Sequence, residues 1–180
     1  AAAVDKDDVC NMQYTSGTTG FPKGVMLTHH NIVNNGKCIG DRMDLSTADR
    51  MMIQVPMFHC FGMVLAMTAA MTHGATLLPL PYFSPKPALA CINNEHITAF
   101  HGVPTMFIAL LEHPDFPKTD FSYMRTGIMA GSPCPISAMR DVVEKMNMRE
   151  ITIVYGQTES SPGCTMSSTD DPIEVRVGTV

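Results

Sequence analysis

Tyr14-Thr15-Ser16-Gly17-Thr18-Thr19-Gly20-Phe21-Pro22-Lys23-Gly24 is the stretch on which the reading of this chain turns. Glycines at 17, 20 and 24 let the backbone take positive φ and come close to a ligand. Successive backbone N–H groups in such a loop form a concavity for anions. Thr15, Ser16, Thr18 and Thr19 add hydroxyl donors, and Lys23 adds a cation on a long stem. Together these groups suit the oxygens of a polyphosphate. The loop of P-loop nucleoside triphosphatases, G-x-x-x-x-G-K-[ST], places a magnesium-binding hydroxyl directly after its lysine. Here Gly24 follows Lys23, which disfavours that class.

On either side of the loop, short apolar runs alternate with helix-length segments. Residues 9–14 and 25–27 read as strands. Thr28 caps a helix to about residue 43, with Ile32, Val33 and Ile39 facing the core. A strand at 50–55 precedes an uncharged, apolar helix at 61–72. Residues 75–80 read as a strand buried on both faces and cut short by Pro79. A helix at 85–95, a strand at 98–101 and a helix at 104–113 follow, the last with Pro104 in its first turn. Residues 126–130 form the next strand. An amphipathic helix at 136–146 carries Met139, Val142, Val143 and Met146 at helical spacing, and a strand at 151–155 comes after it. Residues 160–180 read as turns. The repeated β-then-α order predicts an α/β fold with a mainly parallel sheet flanked by helices. Ligands of such folds bind beyond the carboxyl ends of strands. The segments after Tyr14, Ala130 and Tyr155 all fall there.

A chain of 180 residues suits one domain with a substantial core. Only 16% of the residues are charged, which implies that much of the surface is covered. The net charge of −5, with no Lys/Arg cluster, argues against a nucleic-acid partner and leaves any polyanionic ligand dependent on local cations. The six cysteines include no C-x-x-C pair, which argues against zinc and redox motifs and for free thiols in a reducing compartment. His29-His30, His73, His96, His101 and His113 show no metal spacing and receive no chemical role. No secretory signal opens the sequence, and the most apolar stretch, 62–71, falls short of the roughly 18–20 residues of a membrane span. A cytoplasmic protein without a transmembrane segment is the expectation.

Tyr155-Gly156-Gln157-Thr158-Glu159 offers an aromatic face, a glycine for close approach, a hydroxyl and a hard oxygen ligand suited to Mg2+. Taken singly, Tyr155 is an ordinary core aromatic and Glu159 an ordinary acid at a helix start. Ala130-Gly131-Ser132-Pro133 closes another strand as a turn that opens a helix. Pro56-Met57-Phe58-His59-Cys60-Phe61-Gly62 leads into the apolar helix, and a lone histidine in such company is ordinarily a satisfied core residue. Sixteen methionines suit either an adaptable apolar pocket or an ordinary core.

With these segments together, the sequence resembles the adenylate-forming (AMP-binding) superfamily, which includes acyl- and aryl-CoA synthetases, luciferase-like oxidases and peptide-synthetase adenylation domains. Residues 15–24 resemble its phosphate loop, 155–159 its aromatic-Gly-x-Thr-Glu motif and 130–133 its Gly/Ala-Gly-Ala/Ser-Pro element. The resemblance implies that Thr15, Ser16, Gly17, Thr18, Thr19, Gly20 and Lys23 close around the β- and γ-phosphates of ATP, with Lys23 on the departing pyrophosphate. It implies Tyr155 and Gly156 beside the adenine, Thr158 on the α-phosphate and Glu159 on Mg2+. Gly131 and Ser132 are implied along the adenine and the acyl carboxyl, and His59 near the acyl carboxylate. Gly102-Val103-Pro104-Thr105 resembles a further, less specific pocket element. Lys23, Thr158, Glu159 and His59 are thus the expected catalytic set.

The peptide-synthetase branch carries an aspartate near the position of His59 to pair with an ammonium, and Phe58-His59-Cys60-Phe61 contains none. A buried, unpaired ammonium is strongly disfavoured, so an acid without an α-amino group is expected. The implied activity is ATP-dependent conversion of a carboxylic acid, a fatty acid in the first instance, to an acyl-adenylate and then to acyl-CoA, with coenzyme A as co-substrate. An aryl-CoA ligase or other adenylate former is the alternative among enzymes, and a non-catalytic nucleotide-binding module is the alternative of another class. The family places a ribose-binding aspartate, a hinge and a small C-terminal domain with a catalytic lysine beyond the motifs present here. Residues 1–180 are therefore expected to be a central fragment of the large adenylation domain, lacking the small domain and binding nucleotide at most. Edges left by such truncation are expected to favour self-association.

Overall fold

The computed structural model describes residues 3–16 and 20–178. β1 (Val9–Thr15) and β2 (Lys23–Thr28) pair antiparallel as a separate two-stranded sheet, with Thr15 opposite Lys23. The strand before the Gly/Thr-rich loop is therefore not a member of the parallel sheet. The reason is length: residues 16–22 suffice for a hairpin, whereas a parallel return needs a crossover of about a dozen residues. Thr28 caps α1 (His29–Arg42) reciprocally, its hydroxyl accepting from the Asn31 N–H while the Asn31 side chain accepts from the Thr28 N–H. Ile39 is buried as expected, but Val33 is exposed; Gly36 and Gly40 share the inner face with Ile39.

β3 (Arg50–Ile53), β4 (Thr76–Pro79), β5 (Ala99–Phe100), β6 (Thr126–Ala130) and β7 (Glu150–Gly156) form a parallel sheet. β8 (Gly163–Met166) closes it antiparallel to β7, in the order β4-β3-β5-β6-β7-β8. A π-helical segment, Phe61–Thr68, runs on into α2 (Ala69–Thr72) between β3 and β4. The later crossovers are α3 (Pro85–Glu95), α4 (Pro104–Leu111) and α5 (Ile136–Lys145), and α6 (Ile173–Gly178) follows β8. β4 lies at the sheet edge and is only half-buried, which corrects the expectation of burial on both faces.

Alternation along the strands sorts the apolar side chains onto two faces. Met52, Phe100, Met129 and Ile151 pack under α3, α4 and α5, while Met51, Ala99, Ile128 and Val154 pack under α1 and the π-helical segment. Right-handed crossovers explain the division. The chain steps from β3 outward to β4 and then back through β5, β6 and β7, so helices serving the two directions must lie on opposite faces. The reversal falls between β3 and β5, where open α/β sheets form a crevice at the carboxyl ends. The methionines serve mainly as core: Met43, Met51, Met52, Met124, Met129, Met139, Met146 and Met148 are buried.

The amino ends of the same strands are tied together. Arg125, before β6, donates through Nη2 to Asp49 Oδ2 at 2.8 Å and through Nε to Asp49 Oδ1 at 3.1 Å, and also bonds Glu150 at the start of β7. Thr98 donates its hydroxyl to Asp49 Oδ1 at 2.7 Å, which ties in the start of β5. The stretch 160–180, expected as turns, holds β8 and α6. Arg176 on α6 is buried and donates to the carbonyls of Asp171 at 2.7 Å, Arg149 at 3.0 Å and Ile151 at 2.6 Å, so long-range partners order a locally turn-like sequence. Among the described residues no helix is long and apolar enough to cross a membrane.

Candidate functional site

The chain beyond the carboxyl ends of β3, β6 and β7 lines an open cavity of about 270 Å³. His59 and Cys60 reach it from the segment after β3, and Phe61 and Leu65 from the π-helical segment. Ala130 and Gly131 come from the end of β6, and Gly156 and Thr158 from the end of β7. Gly131 has φ +87, a left-handed conformation that favours glycine, and it turns the chain toward α5. At Gly156 a Cβ would lie 2.2 Å from the Pro162 carbonyl oxygen, so the close approach of β7 to the next segment excludes any side chain.

Thr158–Ser160 forms a single 3-10 turn after β7. The Thr158 hydroxyl lies 3.5 Å from Cys60 Sγ, joining the turn to the segment after β3. Burial pushes the Cys60 thiol up, the hydrogen bond with Thr158 opposes this, and the charge of Glu159 adds to the rise, so Cys60 stays protonated at neutral pH. Glu159 itself is exposed. His59 is also exposed, which corrects its reading as a core residue; the core histidine is His101, fully buried. His59 Nδ1 accepts the Phe61 N–H at 3.1 Å, so the ring proton resides on Nε2 and is free to be donated.

The hairpin comes to the same end of the molecule. Gln13 on β1 donates through Nε2 to the Phe58 carbonyl at 3.4 Å, and β2 packs against the Thr158–Ser160 turn. Lys23, at the head of β2, is exposed and makes no ion pair among the described residues. Ser16 and Gly20 flank the loop, Gly20 with φ +153, while Gly17, Thr18 and Thr19 lie outside the described residues. Tyr155 is exposed rather than in the core. It borders a second cavity of about 630 Å³ with Ser132 and Cys134, and Gly131 and Gly156 line both cavities. Val103, from the less specific element, packs beneath Gly131 rather than lining the first cavity.

Residues 1–180 match the AMP-binding enzyme family along their whole length. The chain belongs to that family. It is 55% identical over 177 residues to the putative acyl-CoA synthetase YngI of Bacillus subtilis (strain 168), covering 98% of this chain and 32% of that protein. The inhibitor-bound N-terminal domain of FACL13 from Mycobacterium tuberculosis superposes with a TM-score of 0.86 at 30% identity, covering 95% of this chain and 42% of that one. ATP-bound MatB from Rhodopseudomonas palustris superposes with a TM-score of 0.82 at 28% identity, over 96% of this chain and 33% of that one. The AMP-binding chain thus spans about a third of the length of YngI and MatB.

Two apolar walls of the first cavity come from the π-helical segment. Phe61 falls in the segment 56–62 that resembles the family's motif beside the acyl site, whereas Leu65 reads as core, because an apolar helix wall facing a cavity has the same composition as one facing a sheet. Their spacing of four residues, which puts them on one helical face, was the available signal. Among the described residues no group of three metal-ligating side chains is assembled. The single exposed carboxylate of Glu159 nevertheless fits a magnesium ion that takes most of its ligands from phosphates and water.

Proposed function

We propose that the full-length protein uses ATP to convert a carboxylic acid to its acyl-adenylate and then passes the acyl group to the thiol of coenzyme A. The observation that carries this reading is the 270 Å³ cavity, where the chain beyond β3, β6 and β7 meets beside the hairpin of the Gly/Thr-rich loop. The reaction is assigned to the whole protein because this chain spans about a third of its relatives. Among the described residues no Asp, Glu, Lys or Arg lines the cavity, and Phe61, Leu65 and Val154 make its walls apolar, which suits an uncharged aliphatic chain behind the carboxylate. An aromatic acid is the second reading, since Phe61 offers a ring face.

In the first step a carboxylate oxygen attacks the α-phosphorus and pyrophosphate leaves. In the second the thiol sulfur attacks the acyl carbon and loses its proton to solvent, and AMP departs with the bonding electrons. His59 Nε2–H holds the carboxylate, and the turn at Gly131 and Ser132 carries the backbone past acid and adenine. Tyr155 and Gly156 flank the base. Thr158 donates to the α-phosphate, while Lys23, with the loop of Thr15 to Gly20, takes the charge that spreads onto pyrophosphate. Glu159 would hold Mg2+, which when bound neutralises phosphate charge. Free thiols throughout suit a reducing compartment such as the cytoplasm.

Removing one such electrostatic contact costs about 2.7–4 kcal/mol in the transition state. Lys23→Ala and Glu159→Ala in the full-length protein are therefore expected to slow acid-dependent ATP–pyrophosphate exchange by about 100- to 1,000-fold. Near-normal exchange in either variant removes that residue from the mechanism.

A further inference from the structure

His101 lies directly behind the cavity and takes no part in the chemistry above. It follows β5, at the reversal of strand order, and is fully buried. Its Nε2–H donates to the Leu65 carbonyl at 2.8 Å, and its Nδ1 accepts the Ile128 N–H at 3.1 Å. Its ring stacks on Phe61, with centroids 5.7 Å apart and planes inclined by 15°. Gln54 Nε2 donates to the His101 carbonyl at 3.3 Å, which fixes the backbone of this residue from the β3 side.

These bonds join two walls of the cavity. Phe61 and Leu65 belong to the π-helical wall, and Ile128 stands two residues before Ala130 on the opposite wall. Widened helical turns recur at functional sites. A neutral imidazole holds an N–H donor and an acceptor on separate edges of a rigid ring, so it can bridge two backbones at a fixed separation. An aliphatic side chain can do neither, and the amide of glutamine offers both functions on a flexible stem.

We propose that His101 is a positioning residue that sets the spacing between the π-helical wall and the end of β6, and through it the size of acid the cavity accepts. The proposal rests on the acyl-activating reading above. Its test uses the full-length protein and a series of saturated carboxylic acids of increasing length, each assayed by acid-dependent ATP–pyrophosphate exchange. His101→Leu is expected to lower kcat/KM for the preferred acid by about tenfold and to shift the preferred length, while KM for ATP changes by less than about twofold. His101→Gln is expected to recover part of the loss. An unchanged acid profile in His101→Leu, or equal losses for acid and ATP, overturns the positioning role. If His101→Leu does not fold, nitrogen NMR of the wild-type His101 ring decides the matter. A non-reactive acyl analogue is expected to shift the ring resonances, with ATP alone leaving them in place; no shift with the analogue overturns the proposal. Wild-type protein that shows no exchange with any acid removes the ligase reading and this inference together, whereas exchange with selectivity indifferent to residue 101 removes only the inference.

Discussion

Burial drives the His101 imidazole down to about 4, and its backbone hydrogen bonds offset this only in part. An unfolded chain protonates the same ring near 6.5. Between those values the unfolded state binds a proton that the native state refuses, so stability falls as the pH drops from about 6.5 to about 4. Above that window the ring is neutral in both states and contributes no pH dependence. The loss amounts to roughly 3 kcal/mol across the window. Urea denaturation at pH 7 and pH 4.5 should show a smaller pH dependence for His101→Gln than for wild type; equal slopes would contradict the buried neutral ring. His59 and His101 also show what a single residue hides in sequence. Both stand among apolar neighbours; His59 bonds the local Phe61 N–H and stays exposed, whereas His101 bonds two backbones distant in sequence and is a core bolt.

Elements with local stop signals could be bounded from sequence, and those held by distant partners could not. α3 begins at Pro85 and β6 spans an uncharged run ending before Gly131, and both have the bounds expected of them. β8 and α6 lie in Ser, Thr and Asp-rich sequence and depend on β7 and on the carbonyls that receive Arg176. The β7–β8 connection also makes a specific demand on residue 156. Gly156→Ala places a methyl against the Pro162 carbonyl, so the strand ends must separate. Overpacking of this kind costs about 1–3 kcal/mol. The variant is expected to lose that much stability in urea titration and to weaken ATP binding, because the Thr158–Ser160 turn hangs on this connection. Unchanged stability together with unchanged ATP affinity would show that the turn is positioned otherwise.

Across the whole molecule, the sheet is tied at its amino ends and open at its carboxyl ends. Burial alone would raise the Asp49 carboxyl, but bonds from Arg125, Thr98 and the Ser46 backbone hold it below the ordinary carboxylate range. Arg125→Ala strands that buried carboxylate and is expected to cost about 3 kcal/mol, read from the urea midpoint. A midpoint within error of wild type would show that the tie contributes nothing. The parallel α/β architecture was legible in the β-then-α rhythm, and the gathering of motifs at one end in their positions after strands. The hairpin's separation from the main sheet was not, because pairing depends on what the short loop of 16–22 can span. The central claim is that the loop before Lys23 and the turn carrying Glu159 act on one nucleotide. The most direct measurement is a crystal structure of the full-length protein with ATP and magnesium. The β- and γ-phosphates are expected within reach of Lys23 and the loop, the metal on Glu159 and the adenine beside Tyr155. A nucleotide bound elsewhere, or one that Lys23 and Glu159 cannot reach together, would contradict that claim.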